Sequence, residues 1–241
     1  VLAAEAMRLA AMEALNPTAA NAGTIAFPTL AGKFVYDSRS IALEDLDRTR
    51  DYTPTLALFT SESHASSMGE AAAMGDTSAR ATLEIVAELA VVAQDGDGEF
   101  ADAADMAQTD TDARLVLAAL CSQVRCLLQY GNAGLAWRRV VKQVAEVREQ
   151  AFASPELGLR YHRTLLTFVC DIADDEFDLE NGGLPEPLLS VFNALPENSY
   201  AKEKLAALAS HFTVDARTPL EVIHGDIGSG LAFEASLTTD P

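Results

Sequence analysis

Apolar residues recur through the first fifteen positions. Leu2, Met7, Leu9, Ala10, Met12 and Leu15 are spaced with alanines between them, and Asn16-Pro17 ends the run, which predicts an opening amphipathic helix over residues 2–15. A connector of small residues (19–27) leads to two short apolar runs. Phe34, Val35 and Tyr36 fall in the first, over 33–36, and Leu56, Leu58 and Phe59 in the second, over 55–60. Both are aromatic or β-branched enough to predict strands. Between them an acidic loop carries Asp37, Ser38 and Arg39, then Glu44, Asp45 and Asp47, and Pro54 punctuates the start of the second run. Residues 62–79 are serine, glycine and small residues without a clear period, which predicts a mobile loop.

Further along, residues 81–92 alternate Leu83, Ile85, Ala87 and Leu89 against Thr82, Glu84, Val86 and Glu88, the signature of a long half-buried strand. An acidic, turn-rich linker is expected over 94–111, then a helix over 112–130 that starts behind an N-cap at 109–112 and is broken by Asn132 and Gly134. Val140, Val141, Val144 and Val147 in residues 137–150 fit either a second helix or a strand joined to a helix. Residues 160–173 read as a closing strand. Two short helices are expected at 186–194 and 199–212, the latter with Ser199 as N-cap, and residues 213–241, with Gly225, Gly228 and Gly230, read as irregular chain that suits a terminal arm.

These elements predict an α/β fold, a single mixed sheet packed by helices with a helical and irregular C-terminal extension. The strands at 34–36, 56–59, 83–89 and 165–172 share the sheet, and the helix at 115–128 covers it. The expected division is an α/β domain over 1–173 and an extension over 174–241. At 241 residues and 49 % hydrophobic content the chain can bury a sizeable core. No apolar run approaches the roughly 20 residues of a membrane helix, and Glu5, Arg8 and Glu13 at helical spacing set residues 1–15 apart from a signal peptide.

A net charge of −19 argues against wrapping nucleic acid, because phosphate binding depends on lysine and arginine. Cys121, Cys126 and Cys170 form no zinc pattern and no even framework, so three buried thiols in a reducing cytosol are expected. Cys121 and Cys126, five apart on a helix, do not face each other, and no disulfide is expected between them.

Signatures of catalysis are missing. Gly225–Gly230 (GDIGSG) has its glycines at the wrong offsets for a phosphate loop and no lysine behind them, and is expected to be a flexible turn. His64, His162, His211 and His224 lack a second ligand at zinc spacing. Asp95, Asp97 and Glu99, like Asp174, Glu176, Asp178 and Glu180, have alternate spacing but lack the glycine and closing glutamate of an EF-hand loop, so both runs are expected to be solvated or lumen-facing and to hold no metal. No cofactor is expected. An enzyme remains the rival class.

The order of these elements resembles the tail-terminator (tail completion) proteins of long-tailed bacteriophages. The likeness is carried by PTLAGKFVYDSRSIALEDLD (28–47) followed by PTLALFTSES (54–63), by ATLEIVAELAVV (81–92), and by FASPELGLRYHRTLLTFVCDI (152–172) with LPEPLLSVFNALPENSYAKEKLAALA (184–209). It implies a structural virion protein, assembled in the host cytoplasm, whose subunits close into a homo-oligomeric ring of six. The ring would cap the tail tube protein, stop its polymerisation and join the tail to the head-tail connector, with DNA passing the lumen without specific binding. Another neck or connector component fits the same pattern. The segment after residue 174 departs from the short members of the group. For the contact surface, Asp37, Arg39, Glu44, Asp45, Asp47, Arg48 and Arg50 are the expected interaction residues, because their mixed charges can pair across an interface. Reversing Asp45 and Asp47 to lysine is expected to weaken ring formation while leaving the subunit folded.

Overall fold

The computed structural model describes residues 1–40, 52–69, 77–95, 98–103, 111–154, 159–212, 222–227 and 231–236. The opening helix α1 (Leu2–Leu15) is built almost wholly from alanine, leucine, methionine and glutamate, all strong helix formers. It is buried along most of its surface, as a helix at the centre of a fold must be. Its first N–H groups have no partner within the helix. Asp175 fills that role from across the chain, accepting from Leu2 N at 2.7 Å through one carboxylate oxygen and from Ala3 N at 2.7 Å through the other. At the far end Glu13 accepts from Thr18 N at 2.9 Å and Thr18 Oγ1 at 2.8 Å, which starts the single turn α2 (Thr18–Asn21).

Among the described residues six strands form one mixed sheet: β1 (Val35–Asp37), β2 (Thr53–Ser67), β3 (Thr77–Asp95), β4 (Gly98–Ala103), β5 (Val141–Ser154) and β6 (Leu159–Ile172). The order is β1-β2-β3-β6-β5, with β1 parallel to β2 and the other pairs antiparallel. Strand β4 pairs with β3 along Ala90–Asp95, past the last β6 pair, Glu88↔Arg163. The alternation read from residues 81–92 sets the layers. Ala79, Ala81, Leu83, Ile85, Ala87 and Leu89 of β3 are buried, and opposite them on β6 stand Ile172, Cys170, Phe168 and Leu166. Helix α1 and helix α3 (Thr111–Arg125) both lie against this face, with the indole of Trp137 edge-on to Phe168 at 6.2 Å.

Helix α5 (Leu188–Ala194) and helix α6 (Tyr200–Ala209) pack on α1, and Leu188, Val191, Leu195, Ala201 and Leu205 belong to the same core as the sheet. Ser199 caps α6 as expected, its hydroxyl accepting from Lys202 N at 3.1 Å. Between sheet and helices, α3 runs into a π turn (Cys126–Tyr130), a 3₁₀ turn (Asn132–Leu135) and a short helix α4 (Trp137–Val140). Arg138 closes this corner by donating to Leu128 O at 2.7 Å and Gly131 O at 2.8 Å. Gly134 lets the turns approach, because a Cβ there would lie 2.4 Å from Leu128 O.

Several expectations are corrected. Within 62–79, residues 62–67 and 77–79 are strand rather than loop. β2 runs to Ser67 and β3 begins at Thr77, their small side chains paired across the ladder with Ser66 and Ser78 hydroxyls 3.3 Å apart, while 70–76 lie outside the described residues. The linker expected at 94–111 holds the end of β3 and all of β4. Of the two readings left open for residues 137–150, a strand joined to a helix is the one found, as a single helical turn, Trp137–Val140, followed by β5. Within 213–241 lies a second two-stranded sheet, β7 (Val222–Ile227) with β8 (Leu231–Ser236), so Gly225 is a strand residue. Cys121 and Cys170 are buried, but Cys126 is exposed.

The acidic run at 174–180 is not merely solvated. Asp174 accepts from the Thr77 hydroxyl and Asp175 caps α1. Asp178 gathers Glu180 N, Asn181 N and Asn181 Nδ2, each at 2.9 Å, and these bonds hold its carboxyl below the usual carboxylate range. Asp95, Asp97 and Glu99 fall at the β3–β4 connection, and Asp97 lies outside the described residues.

Candidate functional site

Of the expected interaction residues, Asp37 and Arg39 are brought to one place, a cleft of about 470 Å³. Glu44, Asp45, Asp47, Arg48 and Arg50 lie outside the described residues. The cleft is bounded by the end of α1 with α2, by β1, and by the start of α6. Strand β1 is only three residues long, yet its position is fixed: it pairs with β2 at Val35↔Leu56, Tyr36↔Ala57 and Asp37↔Leu58, and Ser38 N donates to Leu58 O at 2.9 Å.

Asp37 is the hub of the cleft. Its carboxylate makes an ion pair with Arg8 of α1, accepts from the Tyr200 hydroxyl of α6 at 2.9 Å, and accepts from Ser38 Oγ at 3.1 Å. Three separate parts of the chain therefore converge on one carboxylate. Arg8 and Asp37 have side chains only 13 % and 11 % exposed, so the pair is shielded from water and the loss of either charge leaves the other stranded. Arg8 is also held by Glu5, one turn earlier. Ser38 then takes φ 54, a left-handed conformation that costs a residue with a Cβ, and the chain turns sharply away from the strand. Arg39 returns over the Tyr36 ring, 4.6 Å from its centroid. Asp37 thus uses its charge inside the subunit, anchoring the start of the acidic loop.

The second surface is the face of the sheet opposite the helices. No described helix covers it. Near β1 it carries a small apolar cluster of buried Tyr36, Ala57 and Ala90 flanked by half-buried Phe34, Phe59 and Val86, with Lys33 Nζ 5.3 Å from the Phe34 ring. Towards β5 it becomes a polar depression of about 500 Å³ lined by Glu62, His64, Arg80, Glu84, Arg148 and Thr167. Ion pairs order that region: Arg80 to Asp171 at 2.8 Å, Arg163 to Glu88 at 2.7 Å, and Arg148 to Glu146 at 2.6 Å. Hydrogen bonding to Arg148 lowers the Glu146 carboxyl below its ordinary range and raises the Arg148 guanidinium in turn.

Among the described residues no three His, Cys, Asp or Glu side chains converge as a metal site, and no helix is long and apolar enough to cross a membrane. The thiols of Cys121 and Cys170 are pushed up to about 12, chiefly by burial, which makes both inert at neutral pH. Arg8, Tyr200 and Asp175 carry the geometry of the site and its supporting helix, and sequence reading passed over all three. Arg8 had a signal: it is the one cation in a helix otherwise apolar enough to be buried, where a charge requires a partner. Tyr200 and Asp175 had none, because each acts on a segment more than 160 residues away.

No protein-family model matches the chain, and no curated protein or solved structure does so either.

Proposed function

We propose that the chain is a ring-forming structural subunit of the bacteriophage tail-terminator type, which caps the tail tube, stops its growth and joins it to the head connector. The observation that carries this reading is that the described helices pack on one face of the sheet, while its other face carries half-buried Phe34, Phe59 and Val86 beside an ordered set of ion pairs. An apolar patch rimmed by charges is the ordinary form of an interaction surface. The Asp37 hub supports the same reading by fixing where the acidic loop leaves the sheet, beside that patch.

Charge fits the role. A ring whose subunits carry −19 each repels phosphate, so DNA would pass its lumen without adhering. Subunits in such a ring meet head to tail through two different surfaces that close by rotation. The direct test is tail morphology by electron microscopy in particles lacking the protein. Overlong or headless tails are expected, and tails of normal length joined to full heads would overturn the reading.

A further inference from the structure

We propose that the β7–β8 hairpin of one subunit adds to the free edge of β5 in the next subunit, as an extension of the sheet; this rests on the ring reading above. Strand β5 is the last strand in the sheet order, and among the described residues its outer side pairs with nothing along all of Val141–Ser154. At about 3.3 Å per residue it offers an edge of roughly 46 Å. An edge of that length invites pairing unless something covers it.

The hairpin is a complementary piece. Each of its strands has six residues, about 20 Å, and fits within that edge. It makes no extensive contact with any other described element of its own chain, whereas an isolated two-stranded hairpin is at best marginally stable in water. Its register sorts the sequence into two faces. Ile223, Gly225 and Ile227 stand opposite Ala235, Phe233 and Leu231, and His224 and Asp226 stand opposite Glu234 and Ala232. One face is therefore apolar throughout and needs a surface to cover.

The margin of the core at β5 supplies one. Val144 and Val147 point to the helix-covered side but are only partly buried, because the sheet ends there. A strand added at this edge continues the apolar layer over them, with the polar face of the hairpin continuing the open face that carries Arg148. Twelve residues, 210–221, lie between the end of α6 and the start of β7 in the sequence. A donated arm repeated from subunit to subunit is a head-to-tail contact of the kind that closes a ring.

The test uses the full chain with Cys126→Ser, which removes the exposed native thiol. One preparation carries Arg148→Cys, and a second, distinguished by a tag, carries His224→Cys or Glu234→Cys. The two are mixed under assembling conditions and treated with a short bismaleimide. The proposal predicts a covalent dimer containing one chain of each kind, and its loss when Ile223→Asp and Phe233→Asp are added to the hairpin partner. Rings that form without that mixed dimer overturn the hairpin contact and leave the ring reading intact, as does a link that appears only when both cysteines sit in one chain. A protein that stays monomeric overturns both.

Discussion

At the scale of single residues, Asp37 decides how the edge of the sheet is held. Arg8→Met removes the cation from a shielded pair and leaves a carboxylate without its countercharge, a loss of about 3 kcal/mol. Tyr200→Phe removes one neutral donor from the other oxygen of the same carboxylate and should cost only about 1 kcal/mol. Urea unfolding of the two variants measures the difference, and equal small effects would show that the pair does not anchor β1. The cysteines give a second prediction. Cys126 should react with a maleimide in the native protein, and Cys121 and Cys170 only after unfolding. Their pH dependence has a definite sign. A folded thiol that ionises near 12 and an unfolded one near 8.5 mean that the unfolded chain sheds protons first as pH rises. Both thiols should therefore lower stability progressively above about pH 8.5. Stability unchanged between pH 8 and about pH 10 in denaturant titrations would contradict their burial.

At the scale of elements, the sequence was legible where one rule acted alone and illegible where a distant partner or a local irregularity intervened. The alternation along β3 and the alanine-rich spacing of α1 each announced an element correctly, and the four expected strands do share one sheet under α1 and α3. Strand β5 shows why another segment left two readings open. Val141, Val144 and Val147 recur every three residues, which reads as a helix, yet they stand opposite Ile172, Cys170 and Phe168, all on the core side of β6. Bulges at Val141/Gln143 and Val144/Glu146 each insert one residue and reset the two-residue period. The β2–β3 ladder near Ser66 and Ser78 was invisible for the opposite reason: its side chains are small and polar, and the backbone pairing has no signature in hydropathy. Asp175 belongs to the same class, a cap supplied from the far end of the sheet. Asp175→Ala should cost about 1–2 kcal/mol and expose the amides of Leu2 and Ala3 to faster hydrogen exchange. Gly134→Ala should be worse tolerated than Ala136→Gly, since only the former drives a Cβ into a carbonyl oxygen. Thermal unfolding of both variants compares them.

At the scale of the whole molecule, the layers and the charge lead to the same place. Helices α1, α3, α5 and α6 and one face of the sheet form the main core, and the other sheet face holds a smaller cluster of its own. On the proposed ring reading, that face, the Asp37 cleft and the β5 edge are the surfaces offered to neighbours. In the proposed ring, acidic repulsion would oppose the contacts between subunits, so salt is expected to favour assembly by screening the −19 charge of each chain. The candidate residues at 44–50 were legible only as a run of mixed charge; what holds Asp37, the pairing with Arg8 and Tyr200, became visible only in three dimensions. The most direct measurement is the native mass of the purified full chain across a range of concentration and salt. Subunit assembly predicts a discrete closed species of six chains whose population rises with salt. A single species at the 25.6 kDa of one chain under all conditions would contradict it.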